Sequence, residues 1–267
     1  MFRKLLVIGF SLLSLLLYTD EKRGLQPFEI NGDQAQLASE IINKLETSHL
    51  VKKSYNAIKN EAFEEFLNRL DPNNTVFTSA EVDDFMSKNN LSQTVDEDLI
   101  IAFNIFNQYA ERYLQRYDTQ IDFLNDLNEE NLNTDRKLIR DLSESDRLDT
   151  LKELQNLWTD LSTNDVIQLM LSENPINDAI EKTKKRMANQ LNYFEQTRNE
   201  DVFNIFMNSI ASIYGPHTSY MSPKNSEDFD INMSLSLEGI GALLSSDGLY
   251  TTISSLVPGG PAEKGES

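Results

Sequence analysis

The run Leu99-Ile100-Ile101-Ala102-Phe103-Asn104-Ile105-Phe106-Asn107-Gln108-Tyr109-Ala110-Glu111-Arg112-Tyr113-Leu114-Gln115-Arg116-Tyr117 decides the fold class. Within it Leu99, Phe103, Phe106, Ala110, Tyr113 and Tyr117 step by four, three, four, three and four residues. That spacing places six apolar or aromatic side chains on one stripe of an α-helix. We read the stripe as packed core rather than as the lining of a ligand cavity.

Outward from this run, the chain is free of helix breakers over a long distance. No glycine falls between residues 33 and 214, and the only prolines there are Pro72 and Pro175. Such a stretch favours long helices joined by short polar links. Thr78-Ser79-Ala80-Glu81 and Thr197-Arg198-Asn199-Glu200 match the capping box, in which side chains and backbone N–H groups satisfy one another at a helix start. Asn174 before Pro175 predicts an N-cap followed by proline at the first helical position. A helix from Glu200 presents Phe203, Phe206, Ile210 and Ile213, and Gly215 is expected to stop it in left-handed geometry. Residues 118–150 are rich in Asp, Glu, Asn and Arg but keep a recurring leucine, which fits either a solvated helical face or a long surface loop.

After Tyr214 the composition changes. Seven of the ten glycines and four of the seven prolines fall in the last 53 residues. Ile231-Asn232-Met233-Ser234-Leu235-Ser236-Leu237 alternates with period two and predicts a half-buried strand. A Ser-Ser-Asp-Gly turn follows at 245–248, and Leu249 to Val257 reads as the returning strand, stopped by Pro258-Gly259-Gly260-Pro261. At the other end, Arg3 and Lys4 precede an apolar run from Leu5 to Tyr18. The run is shorter than the roughly 20 residues of a spanning helix and reads as the core of an export signal. Leu17-Tyr18-Thr19-Asp20 is a poor cleavage site, so an uncleaved anchor is the alternative.

Composition excludes whole classes of function. The 267 residues are 39% apolar and 25% charged, in the range of a soluble globular protein. A net charge of −19 disfavours nucleic acid. The absence of cysteine removes disulfides, zinc–thiolate sites, a cysteine nucleophile and a lipid-modified cysteine, and two histidines do not make a multi-histidine metal site. Among 43 acidic residues a pair such as Asp83 and Asp84 reads as a solvated face. Asp71-Pro72-Asn73-Asn74-Thr75 lacks the glycine and distal glutamate of a calcium loop. His49 reads as structural or surface, and His217 two residues from Ser219 reads as part of a turn, with nothing to orient it as a base. There is no phosphate loop, dinucleotide fingerprint or nucleophile elbow.

Gly239-Ile240-Gly241-Ala242 has a more specific reading. Glycines flanking an apolar residue let successive N–H groups converge on one concavity, which can hold a carboxylate, and the strand after it offers an edge to an extended peptide. Alone, a Gly-x-Gly reads as a plain hairpin.

It does not stand alone. The blocks Pro216-His217-Thr218-Ser219-Tyr220-Met221-Ser222-Pro223, then Phe229, then Met233-Ser234-Leu235-Ser236-Leu237-Glu238-Gly239-Ile240-Gly241-Ala242, then Val257-Pro258-Gly259-Gly260-Pro261-Ala262, resemble in order and spacing the tail-specific protease family, the carboxyl-terminal processing peptidases of the bacterial periplasm. Leu70-Asp71-Pro72 with Phe77, the helix from Asp98-Leu99 to Arg112, Trp158 and Asp201-Val202-Phe203 resemble more weakly the helical N-terminal domain of its long Gram-negative members.

The resemblance implies a serine peptidase that acts on proteins with apolar C-termini, sensed by a PDZ domain, with a serine–lysine dyad in a later domain and no metal or cofactor. Gly239-Ile240-Gly241-Ala242 matches the carboxylate-binding loop, which makes the N–H groups of Ile240, Gly241 and Ala242 the expected donors. No serine or lysine of this chain aligns with the dyad, so no catalytic residue is carried over and no peptidase activity is expected of the chain by itself. Gly215 stands where relatives show aspartate, which is expected to loosen the turn it opens.

The expected architecture is therefore mainly α: an export segment or anchor at 1–24, a helical domain at 25–214, and a linker with the first half of a PDZ domain at 215–267. The expected location is the periplasm, with a tether to the inner membrane if the leader is retained. The expected partners are protein substrates and a periplasmic adaptor protein, with no nucleic acid. The rival is a non-enzymatic binding or adaptor protein made of the helical domain with a vestigial β end.

Overall fold

The computed structural model describes residues 25–132, 137–139, 142–143, 145–233, 240–247 and 250–264. It is mainly α with one small sheet. The helices are α1 (Gln34–Ser48), α2 (Tyr55–Leu70), α3 (Ser79–Leu91), α4 (Val95–Asp126), α5 (Glu129–Leu132), α6 (Leu151–Met170), α7 (Ile176–Phe194), α8 (Asn199–Tyr214), α9 (Pro223–Met233) and α10 (Pro261–Lys264). Strands β1 (Ala242–Asp247) and β2 (Tyr250–Leu256) pair antiparallel.

Helix α4 is the spine. Its 32 residues span about 48 Å at the α-helical rise of about 1.5 Å per residue. Leu99, Phe103, Phe106 and Ala110 of the predicted stripe are buried in a core shared with α1, α2, α3 and α8. Further along, Leu124 enters a second, smaller core with Val166 of α6 and Ala179 and Ile180 of α7. At the centre of the first core Phe63, Phe66 and Phe206 meet edge to face at centroid distances of 5.5, 5.6 and 6.2 Å, the arrangement favoured by ring quadrupoles.

Between the two cores Trp158 of α6 is fully buried and donates its indole N–H to the Thr75 carbonyl at 2.7 Å. Gln120 of α4 donates to the Trp158 carbonyl at 3.1 Å and to Ser162 Oγ at 2.8 Å. The polar 118–150 stretch thus divides: its first part continues α4, and its last part, Thr150 with Glu153, builds a capping box that starts α6.

Several local expectations are corrected. The Thr78–Glu81 box forms as predicted. The Thr197–Glu200 box does not; α8 starts one residue later, and the Arg198 N–H donates to Asp201 Oδ2 at 2.8 Å. Asn174 is not the cap of α7: its side-chain NH2 turns back to donate to the Leu169 carbonyl at 2.7 Å and its Oδ1, the atom a cap would use, accepts from Lys182 Nζ, which leaves Pro175 at the cap position. Gly215 has φ 171, an extended rather than left-handed conformation. The end of α8 is satisfied instead from α2's approach, where Lys53 Nζ donates to the Ile213 carbonyl at 2.7 Å.

The strand predicted from Ile231 is a helix over its first three residues, as the end of α9, and residues 234–239 lie outside those described. Pro223 at the first turn preorganises that helix, and its propagation overrides a three-residue alternation. The Ser-Ser-Asp-Gly turn also moves: Ser245 to Asp247 belong to β1, which pairs Asp247 with Tyr250.

Among the described residues no helix is long and apolar enough to cross a membrane, and the Leu5–Tyr18 run lies outside them.

Candidate functional site

Gly239 lies outside the described residues; Ile240, Gly241 and Ala242 do not. Gly241 has φ +75, a left-handed conformation open to glycine and costly for other residues. The carbonyls of this segment are spent: the Gly241 oxygen accepts the Val257 N–H at 2.7 Å, and the Ile240 oxygen accepts the Ala262 N–H at 2.9 Å. Among the described residues no hydrogen bond uses the N–H of Ile240 or Gly241. Among the described residues the loop therefore has its acceptors tied to the Val257–Ala262 turn and no acceptor on these two donors, which is the polarity an anion site needs.

The turn beneath is built to hold it. Gly260 donates to the Val257 carbonyl at 2.9 Å, and the Gly259 N–H donates to Glu263 Oε2 of α10 at 2.5 Å. A Cβ on Gly241 would lie 2.8 Å from Pro261 Cδ, and one on Gly260 would lie 2.9 Å from the Val257 oxygen. Two motifs the sequence offers separately, Gly-Ile-Gly-Ala and Pro-Gly-Gly-Pro, are thus one packed unit. The side chains around it face outward, with Ile240 60% exposed, Leu243 60% and Ile253 63%.

Other singled-out residues have structural settings. His49 ends α1; its Nδ1 accepts the Val51 N–H at 3.0 Å, and its Nε2 lies 2.9 Å from Thr218 Oγ1, whose hydroxyl it fixes as partner. His217 and Ser219 are exposed, and no described hydrogen bond joins them. Asp83 and Asp84 are exposed, Asp84 pairing with Lys88 at 2.6 Å. Asp71, by contrast, is buried. Its carboxylate accepts the N–H groups of Thr75, Val76 and Phe77 and the Arg147 guanidinium at 2.6 Å. Among the described residues no group of acidic and histidine side chains could hold a metal ion.

Two positioning side chains were not anticipated. Asn107 of α4 accepts the Phe28 N–H at 2.7 Å and donates to the Phe28 carbonyl at 3.0 Å. Asn208 of α8 accepts the Tyr220 N–H at 2.9 Å and donates to the Tyr220 carbonyl at 3.0 Å. Each clamped residue also sets its ring edge-on to a phenylalanine, Phe28 to Phe106 at 4.9 Å and Tyr220 to Phe203 at 5.5 Å. The same device thus pins the segment entering the helical body and the connector leaving it. Its only sequence signal is an asparagine, a poor helix former, inside each helix.

The connector carries a further tie. Thr218 donates its N–H to the Gly215 carbonyl at 3.0 Å while its hydroxyl meets His49. The turn opened by Gly215 is therefore fastened to α1.

Deep in the body, Asp98 accepts the Tyr55 hydroxyl at 2.7 Å and the Ser92 hydroxyl. Lys59 Nζ reaches the Asn89 and Ser92 carbonyls, each at 2.8 Å. Burial raises the Asp98 carboxyl above its usual range, against the opposing pull of Ser92, Tyr55 and Lys59, and raises the Tyr55 phenol as well. This cluster joins the starts of α2 and α4 to the end of α3 and is closed to solvent, so it is a structural joint and not a site.

Comparison with known proteins agrees with these features. Residues 41–224 match the family model described as the tail specific protease N-terminal domain. A tail-specific protease from Haemophilus influenzae is 30% identical over 249 residues, which cover 90% of this chain and 36% of that protein. The chain therefore spans little more than a third of the length of that relative. A buried aspartate that organises the α2–α3 loop, a helical body that closes at the connector, and a glycine loop after it all fall within or beside the matched region, and the chain belongs to the tail-specific protease family through its N-terminal domain.

Proposed function

We propose that this chain is the N-terminal portion of a periplasmic tail-specific serine protease that degrades or processes proteins with apolar C-termini. The helical body is its scaffold. The hairpin and its glycine loop are the first half of a PDZ domain that senses the substrate terminus. The observation that supports this reading is the polarity of the loop: the Ile240 and Gly241 carbonyls are bonded to the turn behind them, while among the described residues no hydrogen bond uses their N–H groups, the donors a terminal carboxylate would need. The family's serine–lysine dyad belongs to sequence that does not align here, so substrate recognition rather than bond cleavage is the role of these residues. The expected partners are substrate proteins and a periplasmic adaptor.

The test uses a peptide ending in apolar residues and the same peptide as its C-terminal amide. Each is titrated by calorimetry against the 267-residue chain and against a chain lengthened past Ser267 through the rest of the PDZ domain. Weak or no binding is expected for the short chain, because a lone anion site open to water competes poorly with solvent. Carboxylate-dependent binding, lost on Gly241→Val, is expected for the long one. Equal binding of acid and amide by the long chain would remove the loop from substrate recognition.

A further inference from the structure

Helix α1 carries two adjacent pairs one turn apart on the side that faces the connector: apolar Ile41 and Leu45, and polar Lys44 and Ser48. Residues one turn apart lie over each other on a helix. Across from them stand Ala211 of α8 and Met221 of the connector. Together they bound a cavity of about 400 Å³, within the range of small-molecule sites, which combine apolar walls with a few polar groups. The cavity exists because the connector is held off α1 at fixed points, Thr218 at His49 and Tyr220 at Asn208.

The charge at its rim runs against that of the molecule. The chain carries −19 overall, yet the charged side chain among those lining the cavity is the cation Lys44. Lys52 is committed to the Thr47 carbonyl and Lys53 to the Ile213 carbonyl. Of the acids nearest it on α1, Glu46 accepts the Tyr55 N–H at 2.6 Å and Glu40, one turn before Lys44, accepts the Gln36 side-chain amide at 2.8 Å. Lys44 is exposed and has no acidic partner among the described residues. An apolar cavity with an uncommitted cation and a hydroxyl at its mouth selects for an anion on an apolar chain.

We propose that this cavity binds an aliphatic carboxylate. A chain of about eight to ten carbons would lie against Ile41, Leu45, Ala211 and Met221, in keeping with the size of such sites. Its carboxylate would meet the Lys44 ammonium and the Ser48 hydroxyl. Because one wall is the connector, the bound molecule fastens residues 218–221 to α1, and this site is separate from the glycine loop.

The experiment titrates decanoate, below its micellar concentration, into the 267-residue chain, with decanol as the uncharged control. Calorimetry gives affinity, and amide chemical shifts give location. Decanoate should bind, with shifts confined to residues 41–49 and 218–221, and decanol should bind about tenfold more weakly, the scale of one charge-assisted hydrogen bond. Lys44→Glu, at an exposed position, should leave the fold intact and weaken decanoate by at least about tenfold. Ser219→Phe, on the exposed connector, should block the cavity. Absence of decanoate binding, equal binding of decanol, indifference to Lys44→Glu, or shifts centred on the hairpin's exposed Leu243 and Ile253 would each overturn the assignment.

Discussion

Gly241 and Gly260 stand back to back, so close that a Cβ built on either would lie 3.0 Å from the Cα of the other. A side chain at Gly241 would also have to adopt φ +75, a strain of about 1–2 kcal/mol for an L-residue. A two-stranded hairpin has little stability to spare. Gly241→Ala should therefore unfasten the loop from the Val257–Ala262 turn and collapse the amide dispersion of residues 240–264. The far-ultraviolet helical signal and its thermal midpoint should stay where they are. Retained hairpin dispersion would show that the two backbones can separate without cost.

Asp71 bears on the helical body. It holds three consecutive backbone N–H groups and the largely buried Arg147. Removing one partner of a buried ion pair costs about 3–5 kcal/mol, because the other is left unpaired. Asp71→Ala should lower the unfolding free energy obtained from urea titration by that amount, and Arg147→Ala by nearly as much. If the double variant lost the sum of the two, the pair would not be coupled.

Asp98 gives a pH dependence with a definite sign. Its folded pKa is raised, chiefly by burial. A carboxyl raised on folding contributes stability below its unfolded value, near about 4, and loses it as pH rises through the folded value. Relative to the native chain, Asp98→Asn should therefore gain stability steadily from about pH 4 upward and then level off. Denaturation midpoints of both proteins at closely spaced pH values check this. Tyr55→Phe should instead destabilise by about 1–3 kcal/mol, since it leaves an oxygen of Asp98 without its donor.

Asn208 controls the connector. Asn208→Ala removes both bonds to Tyr220 and leaves that backbone with only its ring contact to Phe203. Limited proteolysis of the native chain should spare residues 215–222 and begin beyond them. In the variant the first cut should move back into 215–222. A native chain cut first at Gly215 would mean that the clamp does not hold in solution.

The helical spine was readable because the Leu99–Ala110 stripe repeats over enough turns for tertiary packing to follow it. The Thr78–Glu81 box was readable because its chemistry is confined to four residues. The alternation from Ile231 misled because three residues carry too little pattern to oppose a helix already started at Pro223. Asn174 misled because its oxygen, which a cap would offer to backbone N–H groups, is taken by Lys182 while its NH2 closes the end of α6. The clamps at Asn107 and Asn208 had no period at all: each is a single side chain meeting backbone that is distant or out of phase in sequence. For the glycine loop, the motif announced a sharp turn with converging N–H groups, but the left-handed Gly241 and the carbonyls spent on the second glycine turn depend on the separate segment Val257–Ala262.

The paired asparagine clamps also define how the helical body responds to mechanical load. A pull applied upstream of Phe28 or downstream of Tyr220 meets at each end two hydrogen bonds from one asparagine amide acting together, with a ring packed beside them. Tension is thus stopped at the threshold of α1 and α8 instead of peeling their first and last turns.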